Sequence, residues 1–246
     1  MNEYRSSKNS YMSFREPNLS SKSNDKQAPS ILVCTNLEGA CSIRERKDNM
    51  NVIEHYDKLI DENNDPVYDS EPLKDYMNKW DGASFINAMQ LDKTKSILEI
   101  GVGTGRLAMK TIPFCKNFVG IDISPKTIDR AIKNLSEYQN TELICADFMT
   151  YPFRSTFDVI YSSLTFMHIK EKQKCIGKIY SLLNIKGRLV LSIEKNQNKS
   201  INYGNRIIEV YPDNPVDINT YITNSNLILL DCIETEFAYI FVSSKS

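Results

Sequence analysis

Short apolar runs punctuate the middle of the chain. Ile97-Leu98-Glu99-Ile100, Phe118-Val119-Gly120-Ile121 and residues 143–146, 157–162 and 188–193 each have the length and content of a buried strand. The stretches between them carry apolar residues at helical spacing. A short helix over 106–111 is ended by Pro113, and a longer one is opened by Ser124-Pro125 and runs through Ile128, Ala131, Ile132 and Leu135. A third, over 170–183, stops at Asn184-Ile185-Lys186-Gly187. Strands alternating with helices imply a parallel sheet with helices on both faces.

The flanks follow different patterns. Ahead of the first strand, Val52, Ile53, Tyr56, Leu59 and Ile60 predict a helix over 52–60, and Leu73, Tyr76, Met77, Trp80, Phe85, Ile86 and Met89 predict a second over 72–89, broken at Gly82. After the fifth strand, 196–205 reads as a polar loop, 206–211 as an extra strand, 215–225 as a helix, and 227–233 and 237–243 as two closing strands. Residues 1–49 are rich in Ser, Asn, Lys and Gln with one apolar cluster, Ile31-Leu32-Val33-Cys34. Such a segment buries too little apolar surface to offset its ordering entropy, so it is expected to be a disordered extension, with Met50 as the true or an alternative start. The expected organisation is this extension followed by one domain over 50–246, made of a helical cap (50–91), a core (92–200) and a sheet-completing end (201–246).

Composition narrows the classes. Hydrophobic residues at 41% and charged residues at 25% are ordinary for a globular protein, and the net charge of −1 gives no electrostatic case for a polyanionic partner such as DNA. No stretch approaches the roughly 18 apolar residues of a membrane span, and the first residues lack a signal-like apolar run, so a cytoplasmic protein with no membrane partner is expected. The six cysteines have no C-x-x-C spacing; reduced thiols, Cys145 buried in a central strand among them, are expected rather than disulfides or a metal site.

The chemistry concentrates at residues 95–106, KSILEIGVGTGR. A strand ends in Gly101-x-Gly103-x-Gly105 and passes into a helix, which leaves backbone amides free to face a ligand. The second strand ends on Asp122, 21 residues after Gly101, where doubly wound sheets present a carboxylate to ribose hydroxyls. The third run ends on Asp147-Phe148. A dinucleotide fingerprint would need glycine at position 106, which is Arg, and this sets a nicotinamide dehydrogenase aside.

Glu99 to Gly105, Gly120-Ile121-Asp122-Ile123-Ser124, Ala146-Asp147-Phe148 and 157–162 together resemble the motifs of class I S-adenosylmethionine-dependent methyltransferases. The resemblance implies a Rossmann-like, doubly wound, seven-stranded and mostly parallel sheet with an antiparallel C-terminal strand and N-terminal helices over the cofactor site. It implies S-adenosyl-L-methionine as cofactor, with Gly101, Gly103 and Gly105 along its methionine and ribose portions, Asp122 on the ribose, Asp147 on the adenine amine, Ile123 and Phe148 flanking the ring, Glu99 organising the loop and the methionyl amine, and Ser162 at the fourth strand's end. Tyr56, Tyr68 and Trp80 either line the acceptor pocket or pack elsewhere, and Tyr203 and Arg206 join them as acceptor candidates. His168 is either a base or a packing residue, and His55 is a weaker candidate. The function implied is methyl transfer to a small molecule by in-line displacement, the alternatives being transfer to protein, peptide or RNA, or non-catalytic binding of the cofactor or its product.

Overall fold

The computed structural model describes residues 48–246; the expectations for 1–47, including the cluster at 31–34, lie outside them. The chain begins with a two-residue strand, β1 (Asp48–Asn49), then α1 (Val52–Asp61), a 3₁₀ turn (Pro66–Tyr68), α2 (Glu71–Met77) and α3 (Gly82–Ala88). The helix expected over 72–89 is thus two helices. Asp81 accepts from the Gly82 amide and Gly82 takes φ +60°, so the chain turns there rather than continuing.

The core follows as β2 (Ser96–Ile100), α4 (Ala108–Thr111), β3 (Asn117–Asp122), α5 (Pro125–Asn134), β4 (Thr141–Cys145), β5 (Phe157–Ser163), α6 (Lys172–Leu182) and β6 (Leu183–Glu194). Ser124 caps α5 by accepting from the Thr127 amide, with Pro125 in the first turn. α6 ends at Leu182, just ahead of the expected stop at 184–187, and those residues form an irregular start to β6: its pairing with β5 shifts register between Phe157 and Val159, and Lys186 takes φ +64°. The chain ends with β7 (Ser200–Asn202), β8 (Arg206–Glu209), α7 (Pro215–Asn224), β9 (Leu227–Glu234) and β10 (Ala238–Lys245).

Seven strands form one sheet in the order β4-β3-β2-β5-β6-β10-β9. Neighbours from β4 to β6 pair in parallel, and β10 runs antiparallel to both β6 and β9. Strand alternation divides the core in two. Leu98, Ile100, Ile160, Leu189 and Leu191 point to one face with Ile176, Ile179 and Ile218 of α6 and α7, whereas Ile97, Val159, Tyr161 and Val190 point to the other with Phe85 and Ile128 of α3 and α5. Cys145 is exposed rather than buried, because β4 is an edge strand and Cys145 is its last residue. Part of the expected 196–205 loop is β7, which pairs antiparallel with β8, while β1 pairs with β8 in parallel. This second small sheet sits behind α1. Strand order reverses between β2 and β5, and in an open α/β sheet the crevice at that reversal is where ligands bind.

Candidate active site

The turn after β2 is built by backbone that only glycine takes readily. Gly101 has φ +75°, its amide and that of Val102 donate to Ile121 O (2.8 and 3.1 Å), and a Cβ on it would lie 2.0 Å from Thr165 Oγ1. Gly103 has φ +57°, and a Cβ there would meet no atom within 4 Å. Its amide donates to Asp122 Oδ2 (3.0 Å), and the Ser124 amide donates to Asp122 Oδ1 (3.0 Å). Burial raises the Asp122 carboxyl above the usual range, and the amide hydrogen bonds of Ser124, Gly103 and Ile123 only partly oppose it.

Above this turn lies a cavity of about 570 Å³. Glu99, Gly101, Gly103, Asp122 and Ile123 line one part, Asp147 and Phe148 another, and the roof is α1, through Val52, Tyr56, Leu59 and Ile60. His168, on the 3₁₀ turn Phe166–His168 that follows β5, lines the wall. Gly105 and Ser162 stand outside it. A Cβ on Gly105 would press on Leu135, and Ser162 Oγ donates to Ile100 O (2.9 Å), joining the ends of β2 and β5.

Four acceptor candidates, Tyr68, Trp80, Tyr203 and Arg206, also lie elsewhere. Trp80 is 2% exposed and packs on Tyr76 and Phe237, because the break at Asp81 turns it toward β10. Tyr68 is 71% exposed. Arg206 is buried behind α1, where Nη1 and Nη2 donate to Glu62 (both 2.7 Å) and Nε donates to His55 Nδ1 (3.1 Å); Tyr203 stacks on His55 with ring centroids 4.2 Å apart. These residues fasten the roof instead of facing a ligand. Arg206 holds the Glu62 carboxyl below its usual range, and burial next to Arg206 pulls His55 down to about 3, so His55 is neutral.

Two buried polar clusters flank the glycine turn. Glu99 accepts from Tyr161 Oη (2.8 Å), its cross-strand neighbour, which also meets Thr111 Oγ1 at 2.8 Å. Burial pushes Glu99 up to about 8, against the Tyr161 hydrogen bond and the Arg106 charge. Free Glu99 is therefore protonated at pH 7. A pKa raised on folding gives stability that is full below the unfolded value near 4.5 and is lost as pH rises toward 8. Urea unfolding of the ligand-free protein is expected to lose up to about 1.4 kcal/mol per pH unit from this group between pH 5 and 7.5. Glu99→Gln should remove that slope; an unchanged slope would mean that Glu99 titrates normally.

The second cluster centres on Asp81, which is 1% exposed. It accepts from Arg106 Nη1 (3.1 Å) and Nη2 (2.5 Å), from Ser163 Oγ (2.9 Å) and from the Gly82 amide (2.7 Å). Burial alone would raise its pKa, but the guanidinium and these hydrogen bonds hold it below the usual range. Roof and core meet through further polar contacts: Tyr56 Oη with His168 Nε2 (2.9 Å), Ser124 Oγ to Asp57 (2.7 Å), Lys126 Nζ to Asp61 and Arg130 to Asp65 (3.1 Å). Sequence reasoning missed Asp81, Asp57, Asp65 and Thr165. The one signal available for Asp81 was its place beside Gly82 at a helix break.

Among the described residues no group of three or more His, Cys, Asp or Glu side chains is arranged to hold a metal, and no helix is long and apolar enough to cross a membrane. Residues 98–191 match the family model described as a methyltransferase domain. An uncharacterised methyltransferase of Schizosaccharomyces pombe is 28% identical over 137 residues, 52% of this chain and 48% of its own length. Malonyl-[acyl-carrier protein] O-methyltransferase 1 of Ilyobacter polytropus is 27% identical over 162 residues, 59% of this chain and 57% of its own. The chain therefore spans about half the length of these curated relatives. Among solved structures, the N-methyltransferase NodS of Bradyrhizobium japonicum in complex with S-adenosyl-L-homocysteine superimposes with a TM-score of 0.57 at 17% identity, over 77% of this chain and 97% of that one, which shows a shared fold.

Proposed function

We propose that the chain, whose residues 98–191 match a methyltransferase domain and whose fold is shared with an N-methyltransferase, is a class I S-adenosylmethionine-dependent methyltransferase that transfers a methyl group to a small-molecule acceptor held under α1. The observation that carries this reading is the roofed cavity at the sheet's reversal point, with the glycine turn, Asp122 and Asp147 on its wall. The cofactor supplies a sulfonium methyl that is already a strong electrophile.

The residues present fit such a group. Gly103 leaves open space where a side chain would intrude. Asp122 uses three of its roughly four lone-pair sites on the amides of Gly103, Ile123 and Ser124 and keeps the remaining capacity for a hydroxyl. Asp147 and Phe148, a carboxylate and an aromatic ring that both line the cavity, would suit an adenine. Glu99, protonated when free, lies where a methionyl ammonium would draw its proton away and pair with it. With the chemistry supplied, the protein's work is alignment and exclusion of water: the turn fixes one partner, α1 covers both, and proximity accounts for most of the rate.

A roof helix over the cavity favours an acceptor small enough to fit beneath it. We also read the protein as cytoplasmic, a setting suited to the free cysteines Cys115, Cys145, Cys175 and Cys232. The test is calorimetric titration of the full chain with S-adenosylmethionine and S-adenosylhomocysteine, followed by transfer of labelled methyl into fractionated cell extract. Micromolar binding and label in the small-molecule fraction are expected. Label only in protein or RNA would overturn the acceptor class, and absence of binding would overturn the cofactor assignment for this chain.

A further inference from the structure

The wall opposite the glycine turn bears on which acceptor is taken. Resting on the methyltransferase reading, we infer that Tyr56 and His168 together form the recognition pair for the acceptor and select an uncharged hydroxyl on an otherwise apolar molecule.

The pair bridges the site's two halves, with Tyr56 on the roof and His168 on the turn after β5; both line the cavity. The phenol oxygen lies 2.9 Å from Nε2, with the rings perpendicular at 5.5 Å. The same turn carries Thr165, which packs against Gly101, so the pair stands beside the glycine turn. The cavity wall around it is apolar, through Val52, Leu59, Met77 and Leu164.

The hydrogen-bond inventory of the pair is incomplete. His168 Nδ1 is buried and has no partner among the described residues. A neutral imidazole has one donor and one acceptor nitrogen. Nδ1 has almost no accessible surface, so what the pair can offer a ligand is the remaining capacity of the phenol oxygen. If Nε2 accepts from the phenol, that capacity is a lone pair; if Nε2 donates, it is the phenol O–H. A hydroxyl carries both functions and matches either state, whereas a carboxylate can only accept.

Charge points the same way. Burial lowers His168 to about 4, and burial raises Tyr56 well above its ordinary value, with Tyr203, Asp122 and Glu194 adding to it, so both are neutral near pH 7. Of the cations lining the cavity, Arg106 is committed to Asp81, and Lys170 is exposed and lies 5.9 Å over the Tyr211 ring. Apart from the sulfonium that the cofactor itself brings, an anionic acceptor would be desolvated near Asp122 with no uncommitted buried side-chain cation in the cavity lining.

The test uses the full chain saturated with S-adenosylhomocysteine and titrated calorimetrically with 4-ethylphenol and with 4-ethylbenzoate, which share the 4-ethylphenyl group and differ in carrying a neutral hydroxyl or a carboxylate. The phenol is expected to bind at least about tenfold more tightly than the benzoate, a difference of about 1.4 kcal/mol. Tyr56→Phe and His168→Gln are each expected to weaken the phenol by about tenfold while their affinity for S-adenosylhomocysteine stays within about twofold of the original, which reports that they are folded. Benzoate binding as tight as phenol, unchanged phenol affinity in both variants, or no phenol binding to the loaded protein would overturn the inference. Failure of the original chain to bind S-adenosylhomocysteine would instead overturn the methyltransferase reading beneath it.

Discussion

Asp81→Ala is expected to lower the stability of the ligand-free protein by about 3–5 kcal/mol, measured by urea unfolding at pH 7. The side chain of Asp81 is fully buried and that of Arg106 is 14% exposed. Removing the carboxylate strands a guanidinium in the cavity wall and takes the acceptor from Ser163 and Gly82 at the same time. Arg106→Met should cost a comparable amount, because it leaves a buried carboxylate unpaired. The double variant should be far less destabilised than the sum of the two, since what is expensive is one charge without the other. A loss below about 1 kcal/mol for Asp81→Ala, or additive costs in the double variant, would mean that water reaches the pair and that its burial does not govern its energy.

Asp122→Ala is expected to weaken S-adenosylhomocysteine binding by about 100-fold in a calorimetric titration, roughly 2.7 kcal/mol. Two losses combine. The carboxylate is the acceptor that holds the Gly103 and Ser124 amides, so the turn loses its brace, and on the proposed reading the ribose hydroxyls lose a charged acceptor. Asp122→Asn keeps one carbonyl oxygen and should fall between the two. Unaltered affinity in Asp122→Ala would remove this carboxylate from the ligand's contacts and leave it the role of a turn brace alone.

The fold was legible where its causes are local. Each strand from β2 to β6 announces itself as an apolar run, and Ser124-Pro125 marks the start of α5 at the residue where it is capped. Glu99, Gly101, Gly103, Asp122 and Asp147 could be picked out because strand ends converge on one edge of a parallel sheet whatever the details of packing, and the structure gathers them around one cavity. What spacing along the chain does not carry is which distant side chains meet. Tyr56 and His168 are 112 positions apart, Asp57 and Ser124 are 67, and His55 and Arg206 are 151. Trp80 was left open between pocket and packing for a related reason: periodicity marks the break at Gly82 but not the direction in which the chain turns there, and that turn sends Trp80 onto Tyr76 and Phe237. Arg206 and Tyr203 carried the polarity of a pocket residue, yet Glu62 and His55 occupy that polarity from behind the roof.

The fastening of α1 by β8 also orders events during synthesis. The roof helix leaves the ribosome early, but Arg206, which clamps Glu62 and His55, follows 151 residues after His55. At about 5–20 residues per second, roughly 8–30 s separate them. Over that interval the nascent chain carries the residues of the glycine turn, β2 and β3 with no clamp on the roof. β10, which lies inside the sheet between β6 and β9, follows Arg206 as well, so the roof's clamp and the sheet's completion both fall to residues 206–246.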